Sequence, residues 1–410
     1  MLKKKPKSSA VWFALFPFIV NGMFVVTLLD AAEPAQAVPS TELNDPLRMA
    51  LPPEIFAVAG VETNIYFDNV VLTLNTANYA FDVTCPKGKQ QAERWTWTPT
   101  EADVGDVPLQ LEIRDDQNRV VSRGNTTVKV SATKSDKNKS LSLLLVGDSL
   151  THASVYSQHL LDLAGKPGQR ALTLIGSHGV EPTLGLNRHE GYGGWTAQRF
   201  ATHFADTARQ GDYAKRGSPF LYKQSDGTVK LEFPHYCQDV NEGRFPDVMT
   251  IFLGPNDIFS YQDETIAAGI QEMLSHYDKL IEMVKTASPA TRIGVMLPVP
   301  PAASQDAFGS NYASGQTRWK YKRNQHFLVS AMIKRYGSRQ SESVHLIPTH
   351  VNLDAVHNYP TETVSPNAHT ELKIVRQSNG VHPSAGGYRQ IGDTVYAWLA
   401  SLSSAEVPSK

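Results

Sequence analysis

Ser149 follows an apolar run, Leu141 to Val146, that breaks at Gly147-Asp148-Ser149 and gives way to a segment with apolar residues at Val155, Leu160, Leu161 and Leu163. The pattern reads as a buried strand feeding an amphipathic helix, with Ser149 on the turn between them. A serine there exposes its hydroxyl at the carboxyl end of a strand, beside helix-start N–H groups that can bind a developing negative charge. That suits a nucleophile. Serines before helices also serve as N-caps, and this stretch alone leaves both readings open. A serine nucleophile needs a base within hydrogen-bond reach. With 13 histidines in the chain, residue type does not choose among His152, His178, His189, His203 and His382. His382 lies just before the last helix, where a loop can fold back over a sheet edge.

Three further stretches stand beside Gly147-Asp148-Ser149-Leu150: His189-Glu190-Gly191-Tyr192-Gly193-Gly194-Trp195-Thr196, then Gly254-Pro255-Asn256-Asp257, then Asn379-Gly380-Val381-His382-Pro383. Together, in this order, they resemble the four blocks of the SGNH, or GDSL-type, hydrolases, over roughly residues 141–402. The resemblance implies Ser149 as nucleophile and His382 as base. It also implies an oxyanion hole made of the backbone N–H of Ser149, the backbone N–H of Gly194 and the side-chain amide of Asn256. Glycine lets a backbone N–H approach the substrate closely, and asparagine is a neutral donor whose charge does not change with pH. Neither a cofactor nor a metal is implied, and no His/Cys/Asp/Glu cluster has ligand spacing on one helix or loop.

One position departs from the family. An aspartate is usual three residues before the histidine, and here that residue is Asn379. Three readings follow: a Ser149–His382 dyad oriented by a backbone or asparagine oxygen, an acid supplied from elsewhere such as Asp354, or a weakened enzyme. The Tyr192-Gly193-Gly194-Trp195 block and the segment Leu231-Glu232-Phe233-Pro234-His235-Tyr236 are similar to stretches of bacterial carbohydrate esterases. Polar, aromatic-bearing loops at residues 301–319 and 351–377 are expected to rim the site. The resemblance therefore implies a serine esterase that removes O-acetyl groups from a carbohydrate or polysaccharide through an acyl-enzyme. The alternatives are a lipid or aryl-ester hydrolase and a weak or inactive glycan-binding protein on an esterase scaffold.

The elements that must position these blocks alternate between strand and helix from Leu141 onward. Strands are expected at residues 141–146, 171–175, 247–253, 293–297 and 344–347, and helices at 263–286 and 387–402, the first capped by Asp263. This is an α/β chain, and the expectation is a three-layer α/β/α domain over residues 140–403 with a flavodoxin-like parallel sheet. Ligands in such sheets bind beyond the carboxyl ends of the strands. Upstream, over residues 45–132, short alternating runs indicate a small all-β sandwich resembling the immunoglobulin class. Trp95 and Trp97 share one strand face there, as core or as a sugar-stacking surface. All four blocks lie after this region, so it is expected to contribute nothing to the chemistry.

The formal net charge of −1, with no basic block past the extreme N-terminus, argues against a nucleic-acid partner. Lys3-Lys4-Lys5-Pro6-Lys7, an apolar stretch over residues 10–29 and the small residues ending at Ala37 have the layout of a signal peptide over residues 1–37. A secreted or periplasmic protein is expected, with an uncleaved N-terminal anchor as the alternative and no other membrane contact. Cys85 and Cys237 could pair in an exported chain or remain as two free thiols.

Overall fold

The computed structural model describes residues 47–133, 140–179, 185–205 and 216–404, all of them in one compact unit. The expected signal peptide lies outside the described residues, as do residues 134–139. Leu141–Gly147 is the centre of a seven-stranded sheet. On one side it pairs in parallel with Val248–Phe252, which is followed outward by Arg292–Met296 and Val344–Ile347, both also parallel. On the other side two short strands share its length, Leu172–Ile175 against Leu141 to Leu144 and Arg188–Gly191 against Val146 and Gly147. His178–Gly179 closes that edge as an antiparallel strand. Leu141–Gly147 thus lies between Leu172–Ile175 and Val248–Phe252, which puts a topological switch point at its carboxyl end.

Alternation along the central strand builds a core on each face. Leu144 and Val146 pack with Phe200, Tyr236, Tyr277 and Leu328. Leu143 and Leu145 pack with Leu160, Ile391 and Trp398 on the other face. Five of the six parallel strands fall where the alternation of segments predicts them. Arg188–Gly191 was not predicted, because its polar sequence carries no apolar signal; its burial comes from side-chain hydrogen bonding. The long helix runs from Ile266 to Ala287 with Thr265 at its N-cap, one turn short of the expected start. Asp263 does not cap it, and instead pairs with Arg323 at 2.5 Å. The last helix is Ala385–Ser404. Among the described residues no helix is long and apolar enough to cross a membrane.

Upstream, Glu54–Val58, Val120–Ser131, Gly105–Arg114 and Ala80–Thr84 form a four-stranded sheet in that order. Thr63–Tyr66, Arg94–Trp97 and Lys89–Gln90 form a three-stranded one. Ile65 and Trp95 from one sheet share a core with Leu109, Leu111 and Val128 from the other. Trp95 is buried and donates its indole N–H to Lys87 O at 3.0 Å, and Trp97 packs against the same core. Glu54–Val58 shows no alternation because both of its faces are covered. Ile55 and Ala57 belong to the upstream core, whereas Phe56 and Val58 join the core of Leu143 and Trp398. Cys85 and Cys237 are free, and burial pushes the Cys237 thiol up to about 12.

Candidate active site

The register of the central strands fixes where the site sits. Gly147 is level with Gly191 on one side and with Phe252 on the other, so the three blocks that follow leave the sheet at one edge. A side chain at Gly147 would come within 2.0 Å of Thr151 Oγ1 and 2.9 Å of Phe252 O, so only glycine lets the chain turn there. The next residue, Asp148, is buried, and its Oδ1 accepts the Leu150 N–H at 2.9 Å as the N-cap of the helix Ser149–His152. Capping by Asp148 resolves the ambiguity left by the sequence, because it leaves the Ser149 hydroxyl uncommitted to the helix. That hydroxyl lies 2.8 Å from Nε2 of His382.

The other histidines that residue type allowed are engaged elsewhere. His189 accepts the Gly191 N–H at Nδ1, 3.0 Å, and shares a 2.7 Å bond between Nε2 and Ser154 Oγ. His152 Nδ1 and His178 Nε2 are 2.9 Å apart, and the His203 ring packs against Trp195. Among the described residues no group of three or more His, Cys, Asp or Glu could hold a metal ion.

Asn256 is bonded both to the residue after Gly194 and to Asp148, the residue before Ser149. Gly194 has φ +76°, a left-handed conformation that favours glycine, in the turn closed by Trp195 N–H to Tyr192 O at 3.2 Å. Asn256 lies in the four-residue helix Pro255–Ile258, and its Nδ2 donates to Trp195 O at 3.1 Å and reaches Asp148 Oδ2 at 3.3 Å. An amide nitrogen has two hydrogens, and these two bonds engage both. Asp257 accepts the Ala197 N–H at 2.9 Å, and its Oδ2 is buried with no hydrogen-bond partner among the described residues. Burial pushes Asp148 up to about 7 and Asp257 up to about 8, and the Asp148 carboxyl adds to the rise at Asp257.

Glu190, which the sequence reading did not single out, braces the turn that carries Gly194. Fully buried, its carboxylate accepts Ser177 N–H and Tyr236 OH at 2.7 Å each, Ser177 Oγ at 3.0 Å and Tyr192 OH at 2.5 Å. It therefore ties the Tyr192 turn to the segment containing Tyr236. The signal was present as an acid inside an otherwise glycine- and aromatic-rich block, where only hydrogen-bonded burial is tolerated.

His382 is held on its loop from below. Gln377 takes the Ser304 N–H at 2.8 Å and donates to Ala355 O and Val356 O at 2.8 Å each, and Gly380 O accepts Ala302 N–H at 3.1 Å. Burial lowers the pKa of His382 below the ordinary histidine value, which favours the neutral, base-competent ring. The expected orienting groups do not reach that ring. Asn379 Oδ1 accepts the N–H of Val381 at 3.0 Å and of His382 itself at 2.8 Å, an Asx-turn that shapes the loop. Asp354 is turned to His357, accepting its N–H and its Nδ1 at 2.9 Å each. Among the described residues none hydrogen-bonds Nδ1 of His382.

Residues 145–390, more than half of the chain, match the model of the GDSL-like Lipase/Acylhydrolase family. The chain belongs to this family. Acyl-ester hydrolysis follows as its class of activity, and the hydrolase fold as its architecture. Among solved structures, this GDSL-family chain is similar to a carbohydrate esterase family 3 protein from Talaromyces cellulolyticus, at 16% identity and TM-score 0.38 over 65% of this chain and 100% of that one. It is also similar to a family 3 carbohydrate esterase from Clostridium thermocellum, at 17% identity and TM-score 0.37 over 65% and 98% of the two chains. A third is an inhibitor-bound aryl esterase from M. smegmatis, at 14% identity and TM-score 0.36 over 64% and 99%. No curated protein matches the chain.

Proposed function

We propose that this GDSL-family acylhydrolase removes O-acetyl groups from a carbohydrate or polysaccharide, with Ser149 as nucleophile and His382 as base. The observation that carries the chemistry is the 2.8 Å bond between Ser149 Oγ and His382 Nε2, which is within reach for proton transfer as the serine attacks. In this reading the ester carbonyl oxygen becomes an oxyanion among the N–H groups of Ser149 and Gly194 and the Asn256 amide. His382 takes the serine proton and returns it to the departing sugar hydroxyl. Water then repeats the sequence on the acyl-enzyme and releases acetate.

The carbohydrate reading is supported by the composition of residues 301–319 and 351–377, the loops expected from sequence to rim the site: they carry aromatic residues and side-chain amides, which suit a sugar better than an acyl chain, since a long acyl chain needs a continuous apolar groove. Acetate released from a panel of acetylated polysaccharides tests it, together with hydrolysis of acetyl against octanoyl model esters. Faster hydrolysis of octanoyl esters without release from any polysaccharide would assign the chain to lipid or aryl esters. A second reading, a glycan-binding protein with weak hydrolysis, is favoured by Nδ1 of His382, which has no carboxylate partner among the described residues. Binding of a glycan without detectable acetate release from any ester would select it. Residues 1–37 as a signal peptide, and export with it, belong to the same proposal.

A further inference from the structure

A cluster of aromatic rings runs between the two halves of the site. Phe259 directly follows the helix Pro255–Ile258 with helical backbone angles, φ −56° and ψ −41°. It stands three residues after Asn256, and residues three apart on a helical turn share a face. Its ring meets Tyr312 edge-on at 4.9 Å and Tyr321 at 5.8 Å. At the far end of the cluster, Phe308 and Tyr321 pack with Val381, the residue before His382. A side chain at Gly380 would come within 2.7 Å of the Phe308 ring, so the histidine loop lies directly on the cluster.

The members differ in how far they are covered. Phe308 and Tyr321 are buried at 0% and 1% exposure, while Phe259 and Tyr312 each keep part of their surface open to solvent. The Tyr312 hydroxyl has no hydrogen-bond partner among the described residues. The backbone beneath Phe259 is fixed, with its carbonyl accepting the Gln316 side-chain amide at 3.0 Å and the Ile258 carbonyl accepting that of Asn324 at 3.0 Å. A half-covered ring on a fixed backbone, next to a tyrosine with an uncommitted hydroxyl, offers one apolar face and one polar tip. The ring of a sugar has the same two characters, an apolar C–H face and a rim of hydroxyls.

We propose that Phe259 and Tyr312 form the platform on which a sugar ring of the substrate stacks, with the Tyr312 hydroxyl bonding one of its hydroxyls. The platform rests on the carbohydrate-ester reading and names its substrate subsite. It sets which sugar hydroxyl, and hence which acetyl group, faces Ser149. The two rings bury the sugar's apolar face without enclosing it, so the chain on either side of the bound residue can continue.

Calorimetric binding of a panel of unacetylated xylo-, cello- and chito-oligosaccharides reads the platform alone, and acetate release from the acetylated forms reads the ester function. Wild-type protein is expected to bind at least one oligosaccharide, and Phe259→Ala to weaken that binding about five- to tenfold. Tyr312→Phe, which removes one oxygen and leaves the packing intact, should weaken it by a smaller factor. On the acetylated oligosaccharide the loss should fall on KM, with kcat held within about twofold. Binding that is weakened in the variants, without acetate release by the wild type, would keep the platform and discard the ester reading. Acetate release by the wild type, with unchanged Kd and KM in a folded Tyr312→Phe and Phe259→Ala, would discard the platform and keep the ester reading. Wild-type protein that binds no oligosaccharide in the panel overturns the platform.

Discussion

Asn352 Oδ1 accepts both the backbone N–H and the side-chain N–H of Asn64, at 2.9 and 3.0 Å, across a sequence separation of 288 residues. The bond is one of a series. Asn69 donates to His350 O and Leu353 O at 2.9 and 2.7 Å, Tyr66 N–H to Val351 O at 3.0 Å, and Asp68 pairs with Arg318 at 3.1 Å and with the buried Lys322. The upstream strands are therefore bonded to the segment around Asn352 and to the helix that carries Arg318 and Lys322, although none of the four sequence blocks lies in them.

The expectation from sequence, that the upstream region contributes nothing to the chemistry, concerns the reaction; these bonds and the shared core concern folding. A protein starting near Ser135 loses Phe56 and Val58 from the core around Trp398 and leaves the Lys322 ammonium buried without its carboxylate. It should fail to fold, and so lose hydrolysis of even a small acetyl ester. Circular dichroism and thermal melting of the truncated protein check this. The milder change Asp68→Ala should cost about 2 kcal/mol. That is below the loss for a fully buried pair, because the Asp68 side chain is 37% exposed. A truncated protein that melts cooperatively near the wild-type temperature would show that the two regions are independent.

Asn256→Ala removes one of the proposed oxyanion donors and leaves the Ser149–His382 bond untouched. It should lower kcat by about 10²–10³ with little change in KM, because the bond strengthens only as the oxyanion forms. Ser149→Ala should abolish turnover while the melting temperature holds, since Asp148 and not Ser149 caps the helix. Steady-state kinetics on 4-nitrophenyl acetate separate the two effects. A change in KM alone for Asn256→Ala would make that residue a ground-state binding group.

Asp257 supplies a pH prediction with a definite sign. Its folded pKa, raised by burial to about 8, exceeds the value of a free aspartate, so the folded protein holds a proton that the unfolded chain releases. The stability this confers is complete below the unfolded value and is lost as pH rises through the folded value. Asp257→Asn keeps an oxygen for the Ala197 N–H and removes the ionisation. The variant should match the wild type in melting temperature near pH 4 and exceed it above pH 8. Equal falls in melting temperature between those pH values in both proteins would mean that Asp257 does not titrate with unfolding.

Much of this was readable because the blocks fall at strand ends, where an apolar run must stop and a turn must begin. Leu141 to Val146 followed by Gly147 announces both the central strand and the edge on which Ser149 sits. Three features were not readable, each for a physical reason. Glu54–Val58 lies between two cores, so no alternation betrays which face is which. Arg188–Gly191 is a strand of polar residues whose burial depends on partners far away in sequence, above all Tyr236 on Glu190. The rotamer of Asn379 is set by the N–H groups of its own loop, and the sequence names the residue without saying which way its amide points.

That rotamer governs the last prediction. With Asn379 Oδ1 committed to the backbone of Val381 and His382, the side-chain atom left over is an amide nitrogen, a donor where the imidazole requires an acceptor. Asn379→Asp keeps one oxygen for the turn and turns the other atom into a charged acceptor on the loop that carries the ring. The imidazolium that forms when Ser149 attacks is then stabilised, and the pKa of His382, lowered in the wild type by burial, rises. The base acts in its neutral form, so activity is lost as pH falls through this pKa. Wild-type kcat/KM should therefore persist below pH 6.5, the ordinary histidine value, and the acid limb in Asn379→Asp should move to higher pH while kcat increases. In a serine protease the reverse exchange, aspartate to asparagine at the orienting position, lowers turnover by about 10⁴, which sets the ceiling for the gain. Asn379 precedes glycine, a pairing prone to deamidation, so the wild-type protein must be fresh and its mass verified before the profiles are compared. Superimposable pH profiles for the two proteins would show that His382 takes its orientation from the fold of its loop alone.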